Sequence, residues 1–211
     1  MVPDAHVTQL GLWQSLWELM WLKPALLWGI VPIAALLLWV FRRDKSVPRI
    51  KTTILSLLLY DYLCVALTNI IGMPTLAEWR RLLRLGEAVF NPNVNWIPLR
   101  DGISLSLLLN VLLFIPFGFL CPWISKTFGR ARNICMAGLG LSLLIELMQL
   151  FTLYRATDID DILTNGMGTL IGYAGFRLLE KLRLVKASGG AGTAWLPGAA
   201  AATALILGFW S

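Results

Sequence analysis

Polar side chains that could bind or catalyse occur in the second half of the sequence, within and between stretches that are otherwise apolar. A carboxylate or amide in an apolar environment is costly unless it finds a partner, so these groups are candidates for a functional site. An arginine beside them suits a phosphate or carboxylate, and the amides suit amide or sugar groups. The candidate binding residues are Asn110, Glu146, Gln149, Arg155, Asp158, Asp161 and Asn165.

A catalytic interpretation of the same residues is a second possibility. Glu146 could act as a general acid or base, and Asp158 and Asp161 could bind a divalent cation through their oxygens. However, the single histidine, His6, lies near the chain start, and no serine or cysteine forms a nucleophile arrangement with it. We therefore favour a protein that is not an enzyme, with no catalytic residue assigned, no metal site and no cofactor.

Composition indicates the elements that must position these side chains. Of the 211 residues, 57% are hydrophobic and only 14% are charged, whereas a soluble domain carries about a quarter charged residues. Apolar runs long enough to cross a ~30 Å hydrocarbon layer recur along the chain. We predict an all-α integral membrane protein, a bundle of five or six transmembrane helices plus interfacial amphipathic helices. The predicted spans are 24–41, 52–71, 103–124, 134–151, 161–179 and 194–210.

Two further segments have amphipathic patterns. Trp13, Trp17 and Trp21 share one face of a predicted helix at 8–22, which suits either a membrane interface or packing on the bundle. Residues 77–90 interleave leucines with arginines and predict a second surface or partly re-entrant helix. We divide the chain into an interfacial segment at 1–23, a bundle at 24–186, and a flexible Gly-rich linker with a short last transmembrane helix at 187–211.

The basic residues predict the orientation. Twelve of the 18 lie in the loops after the first, third and fifth spans, and the positive-inside rule makes that side cytoplasmic. Both termini are then expected outside the cytoplasm. The net charge of +6 thus indicates topology and contact with membrane lipids, and we expect no nucleic-acid partner. The sequence does not predict an oligomeric state.

Helical spacing predicts that the candidate residues converge. Ser142, Glu146 and Gln149 share one face of the fourth span, and Asn165 lies one turn below Asp161 on the fifth. Together with Asn110 on the third span, they predict a polar cavity near the outer face, with Arg155 and the aspartates at its rim. Asp61, in the middle of the second span, could join this cavity or bond to a neighbouring helix. Gly168 and Gly172 predict close packing of the fifth span on the third or fourth.

Four strings in this region resemble the VanZ-like family of small bacterial membrane proteins. They are NWIPLRD at 95–101, NVLLFIPFGFLCP at 110–122, IELMQL at 145–150 and RATDIDDILTNGMGTLIGY at 155–173, so the resemblance covers about 95–179. It implies motif positions that largely coincide with the predicted cavity. It also implies a location in the bacterial inner (cytoplasmic) membrane and a link to teicoplanin resistance, that is, to lowered sensitivity to lipid-bearing glycopeptides.

Three functions follow as hypotheses. The first is binding of an amphiphile, either a lipoglycopeptide or a lipid-linked cell-wall intermediate, in the outward-facing polar pocket. The second is a structural or scaffold subunit whose polar network only joins helices. The third is an enzyme that acts on a lipid-linked substrate. The first is the one we favour.

Overall fold

The computed structural model describes residues 24–100, 102, 104–153 and 157–211, and within these ranges the protein is almost entirely helical. Two strands of two residues, β1 (Val94–Asn95) and β2 (Thr157–Asp158), form a parallel pair. The α-helices are α1 (Pro24–Leu27), α2 (Ile30–Arg43), α3 (Arg49–Val65), α4 (Leu76–Leu85), α5 (Leu105–Ile124), α6 (Ala131–Gln149), α7 (Ile159–Lys181) and α8 (Trp195–Trp210).

Four helical segments are long and apolar enough to cross a membrane: Pro24–Arg43, Arg49–Ile70, Leu105–Ile124 and Ala131–Gln149. The second of them ends in a π-helix at Ala66–Ile70. The predicted all-α membrane class is therefore confirmed. Helix α7 has 23 residues but begins with two aspartates, and α8 has 16 residues, which rise about 24 Å. The predicted interfacial helix at 8–22 lies outside the described residues.

Helices α5 and α7 form the centre of the bundle and touch through their backbones. A methyl group added at Gly168 would overlap the carbonyl of Val111, and one added at Gly172 would overlap that of Ile115. On α5, Gly118 faces the backbone of Thr169 in the same way. Close packing of α7 through Gly168 and Gly172 is thus confirmed, and its main partner is α5.

Three loops that together carry eight of the 18 basic residues meet at one end of the bundle, which we call the basic end (residues 44–51, 125–132 and 182–190). The Ser188 amide donates to the Trp123 carbonyl at 2.8 Å, and the Lys126 amide donates to the Gly189 carbonyl at 3.0 Å. The glycine-rich segment that we predicted to be flexible is therefore tied to the end of α5 by backbone hydrogen bonds.

The opposite end, which we call the loop end (residues 71–100, 102, 104, 150–153 and 157–158), carries the predicted amphipathic helix, α4. Thr75 caps its first turn by accepting from the Glu78 amide, and Gly86 ends it in the left-handed region at φ 73°. The Trp79 ring lies 4.8 Å from the ring of Phe209 on α8. Helix α8 thus extends from the basic end, after Gly189, to the loop end.

Candidate functional site

Three helices bring polar side chains to a small cavity near the loop end. Its volume is about 40 Å³, which is enough for a few water molecules or one small polar group. Two isoleucines at the end of the π-helix close one side of it. The lining residues are Ile70, Ile71, Asn110, Leu113, Ile145, Glu146, Gln149, Asp161 and Asn165.

Hydrogen bonds between the helices fix the walls of this cavity. Asn110 Nδ2 on α5 donates to Asp161 Oδ1 on α7 at 2.6 Å. Asn165 Nδ2, one turn further along α7, donates to Ser142 Oγ on α6 at 2.9 Å. Helix α7 is therefore bonded through side chains to both α5 and α6, as the predicted convergence of these three helices requires.

Glu146 lies at the junction of α6 with the start of α7 and is 1% exposed. Its Oε2 accepts the Asp158 backbone N–H at 2.9 Å, and its backbone carbonyl accepts the Thr157 hydroxyl at 3.0 Å. A buried carboxylate that accepts a backbone N–H makes a strong, charge-assisted bond. Glu146 thus holds strand β2, and with it the entry into α7.

Two side-chain oxygens at the cavity have no hydrogen-bond partner among the residues that the structure describes. They are Gln149 Oε1 and Asn165 Oδ1, and both residues are 4% exposed. Buried polar atoms are nearly always paired, so unpaired acceptors beside a cavity indicate a place for a water or for a donor group from outside the protein.

The segment before α5 covers the same end of the bundle through contacts that sequence reasoning missed. Asn95 Nδ2 donates to Asp158 Oδ2 at 3.1 Å, and the Leu99 amide donates to Asp160 Oδ2 at 2.8 Å. Asp158 also caps α7 by accepting the Asp160 amide at 2.9 Å. Asn95 and Asp160 both lie in sequence strings that resemble the VanZ-like family. That resemblance was the sequence signal that could have identified them as site residues.

The predicted residues divide into three groups. Asn110, Glu146, Gln149, Asp161 and Asn165 line the cavity together, and the predicted convergence of three helices is confirmed. Asp158 lies beside it as the cap of α7. Arg155 lies outside the described residues, and binding by any of these side chains stays a prediction.

Asp61 lies on an exposed face of α3 and does not line this cavity. The proposal that it joins the cavity is therefore not supported. No group of three or more histidine, cysteine or acidic side chains within the described ranges could hold a metal ion. The oxygens of Asp158, Asp160 and Asp161 instead accept hydrogen bonds from the protein.

An apolar groove lies next to the polar cavity, between α6 and α8. Its volume is about 650 Å³, within the range of sites that bind small molecules. Leu113, which lines the cavity, and Phe117, which lines the groove, are one turn apart on α5. The groove residues include Phe117, Leu141, Leu144, Met148, Ala201, Leu205 and Phe209. A polar cavity and an apolar groove therefore adjoin within one half of the bundle.

Replacing Asn95 by alanine is expected to loosen the segment before α5 without unfolding the bundle. The change removes a hydrogen bond to a carboxylate, which is worth about 1.5–3 kcal/mol. Limited proteolysis should then cut residues 86–100 faster, while the unfolding midpoint in detergent changes little. Ile97→Ala is the control, because Ile97 is exposed. Equal cleavage of both variants would contradict the role given to Asn95.

Comparison with known proteins connects these features to one family. The family model VanZ/LLP1 matches residues 61–180, more than half of the chain. The chain is 38% identical over 72 residues to Protein VanZ of Enterococcus faecium; the match covers 34% of this chain and 44% of that protein. The chain thus spans less than half the length of that relative. No solved structure matches. The family match begins at Asp61 and so includes the last five residues of α3 and all of α4, where the sequence offered no motif.

Proposed function

Because the chain belongs to the VanZ/LLP1 family, we propose that it is a bacterial envelope protein that binds an amphiphile and lowers sensitivity to lipid-bearing glycopeptides. The amphiphile is a lipoglycopeptide or a lipid-linked cell-wall intermediate. Both have a polar head with many hydrogen-bonding groups and a long apolar chain. The basic end faces the cytoplasm in this proposal, so that the loop end and the polar cavity face outward.

One observation carries the proposal: a polar cavity with unpaired acceptors adjoins an apolar groove that is open on one side. The chain of the amphiphile lies in the groove between α6 and α8. Its head lies at the loop end, where Gln149 Oε1 and Asn165 Oδ1 accept from hydroxyl or amide groups. A cavity of about 40 Å³ holds one group of the head, and the rest lies against the segment before α5.

A structural role is the second candidate, and a specific observation favours it. The bonds Asn110 to Asp161 and Asn165 to Ser142 join helices directly, as a scaffold requires. In that case the groove is filled by bulk lipid or by a partner helix. Variants that fill the groove without disturbing the polar network separate the two candidates.

Gly140 and Gly198 allow that experiment, because both line the groove and a Cβ atom added at either meets no neighbouring atom within 4 Å. We expect Gly140→Phe and Gly198→Phe to fold normally and to reduce binding of a lipoglycopeptide at least about tenfold. Binding is measured by fluorescence with purified protein in nanodiscs. A glycopeptide without the acyl chain serves as the second ligand and should bind weakly to all forms.

Ala174→Phe is the matched control, because Ala174 is exposed on α7 and lies outside the groove. Mass spectrometry of the lipids that co-purify adds a readout that does not depend on the choice of antibiotic. An enriched lipid-linked sugar that disappears in the two groove variants supports the proposal. Unchanged binding and unchanged co-purifying lipids in those variants would refute it and leave the scaffold.

A further inference from the structure

A second groove lies at the basic end, away from the polar cavity, and combines cations with an apolar stripe. It runs along α3 and has a volume of about 840 Å³. Ile50, Ile54 and Leu58 follow one another at intervals of four residues, so they form one face of the helix. All three side chains are at least half exposed. The stripe therefore begins at the basic end and continues toward the middle of the membrane.

Cations lie at the head of this stripe. Arg49 and Lys51 line the groove together with Trp123. The Lys51 ammonium lies 5.6 Å from the centre of the Trp123 ring and donates to the backbone carbonyl of Lys186. An ammonium has three donors, so further hydrogen bonds remain available.

These cations have no carboxylate partner in the described parts of the chain. The one ion pair found there joins Arg177 and Glu180, at another position. The indole N–H of Trp123 is buried and has no acceptor within residues 24–100, 104–153 and 157–211. The wall of the groove is apolar, so Arg49 and Lys51 contribute their carbon stems to it, and their positive charges have no carboxylate partner among the described residues.

We propose that an anionic phospholipid occupies this groove. Its phosphate contacts Arg49 and Lys51, and one acyl chain lies along Ile50, Ile54 and Leu58. Basic pockets at the cytoplasmic side of membrane helices suit such head groups because the phosphate supplies the missing counter-charge. A neutral lipid satisfies the apolar stripe but not the cations. This site is independent of the amphiphile site, because it lies at the opposite end of the bundle.

The test compares two double variants that remove the same charge. Arg49→Gln with Lys51→Gln changes the groove, whereas Arg130→Gln with Arg132→Gln changes exposed residues elsewhere at the same end. The protein is placed in phosphatidylcholine nanodiscs that contain a minor fraction of phosphatidylglycerol, and retained lipid is measured by native mass spectrometry. The loss of two contacts with the phosphate should lower phosphatidylglycerol retention about 30-fold in the first variant, and less than about twofold in the second.

A third variant tests the apolar part without changing charge. Ile54→Trp narrows the groove and should also release the phospholipid, while the unfolding midpoint in pure phosphatidylcholine stays near that of the wild type. Three outcomes would overturn the proposal: equal losses in both double variants, equal retention of phosphatidylcholine and phosphatidylglycerol by the wild type, or a dimer that Ile54→Trp dissociates. The last result would assign the stripe to a second copy of the chain.

Discussion

Replacing Gly172 by alanine is expected to destabilise the bundle by about 1–3 kcal/mol, although alanine is the better helix former. The added methyl group overlaps the carbonyl of Ile115 on α5. A backbone atom cannot rotate away as a side chain can, so the two helices must separate. The midpoint of thermal unfolding in detergent, followed by tryptophan fluorescence, should fall clearly.

Gly175 provides the control on the same helix. A methyl group added there lies 3.8 Å from the ring of Phe119, which is ordinary contact. Gly175→Ala should therefore be neutral or stabilising, by up to about 1 kcal/mol from helix propensity. If Gly172→Ala and Gly175→Ala shift the midpoint equally, α5 and α7 do not pack through Gly172, and the arrangement of the core would have to be revised.

The same contact explains how the polar cavity is formed. Gly168 and Gly172 bring α7 against α5, and this closeness places Asn110 within 2.6 Å of Asp161. A bulkier α7 would leave the amide and carboxylate apart, each facing an apolar environment. The close packing of α5 and α7 therefore also determines the geometry of the polar cavity.

Much of this arrangement could be predicted from the sequence, because a polar residue in an apolar run is easy to locate and helical spacing then fixes its face. Ser142, Glu146 and Gln149 are one example: Glu146 and Gln149 line the cavity, and Ser142 accepts from Asn165, which also lines it. The helix ends were less predictable. Helix α7 begins at Ile159 rather than at 161, because Asp158 caps it, and charged residues at helix ends were excluded from the apolar spans.

Other features left no readable pattern in the sequence. Strands β1 and β2 have two residues each, too few for an alternating pattern. The attachment of Gly189 to the end of α5 uses backbone atoms only, and any residue type supplies those. The groove between α6 and α8 depends on how far apart two helices pack, which hydropathy does not encode. The glycines in it, Gly140 and Gly198, were indistinguishable from glycines that mediate close contact.

The contacts of Asp158 and Asp161 bear on the hypothesis that these residues bind a metal ion. From sequence, Asp158 and Asp161 could bind a cation, since carboxylates close together suit an oxygen-liking metal. In the structure, Asp158 accepts from Asn95 and from the Asp160 amide, and Asp161 accepts from Asn110. These bonds occupy acceptors that a metal would need, and they hold the loop end together. These contacts therefore favour a binding or structural role for the aspartates over a catalytic role.

Glu146 distinguishes those two remaining functions. Glu146→Leu removes the acceptor of the Asp158 N–H and leaves that donor buried and unpaired, which costs about 1–3 kcal/mol. We expect lower abundance in membranes and an earlier unfolding midpoint. Glu146→Gln keeps an acceptor oxygen and nearly the same volume, so it should lose only the charge-assisted part of that bond, about 1 kcal/mol, and reach normal abundance.

The glutamine variant gives the decisive measurement, because it removes the charge of Glu146 and preserves the fold. If the cavity receives part of a ligand head, Glu146→Gln should reach normal abundance yet bind the lipoglycopeptide at least about tenfold more weakly, since a bond to a charged acceptor is stronger than one to a neutral acceptor. Antibiotic susceptibility of cells that carry each variant provides the second readout. If Glu146→Gln matches the wild type in both assays and only Glu146→Leu fails, by degradation, then Glu146 acts solely by joining α6 to the start of α7.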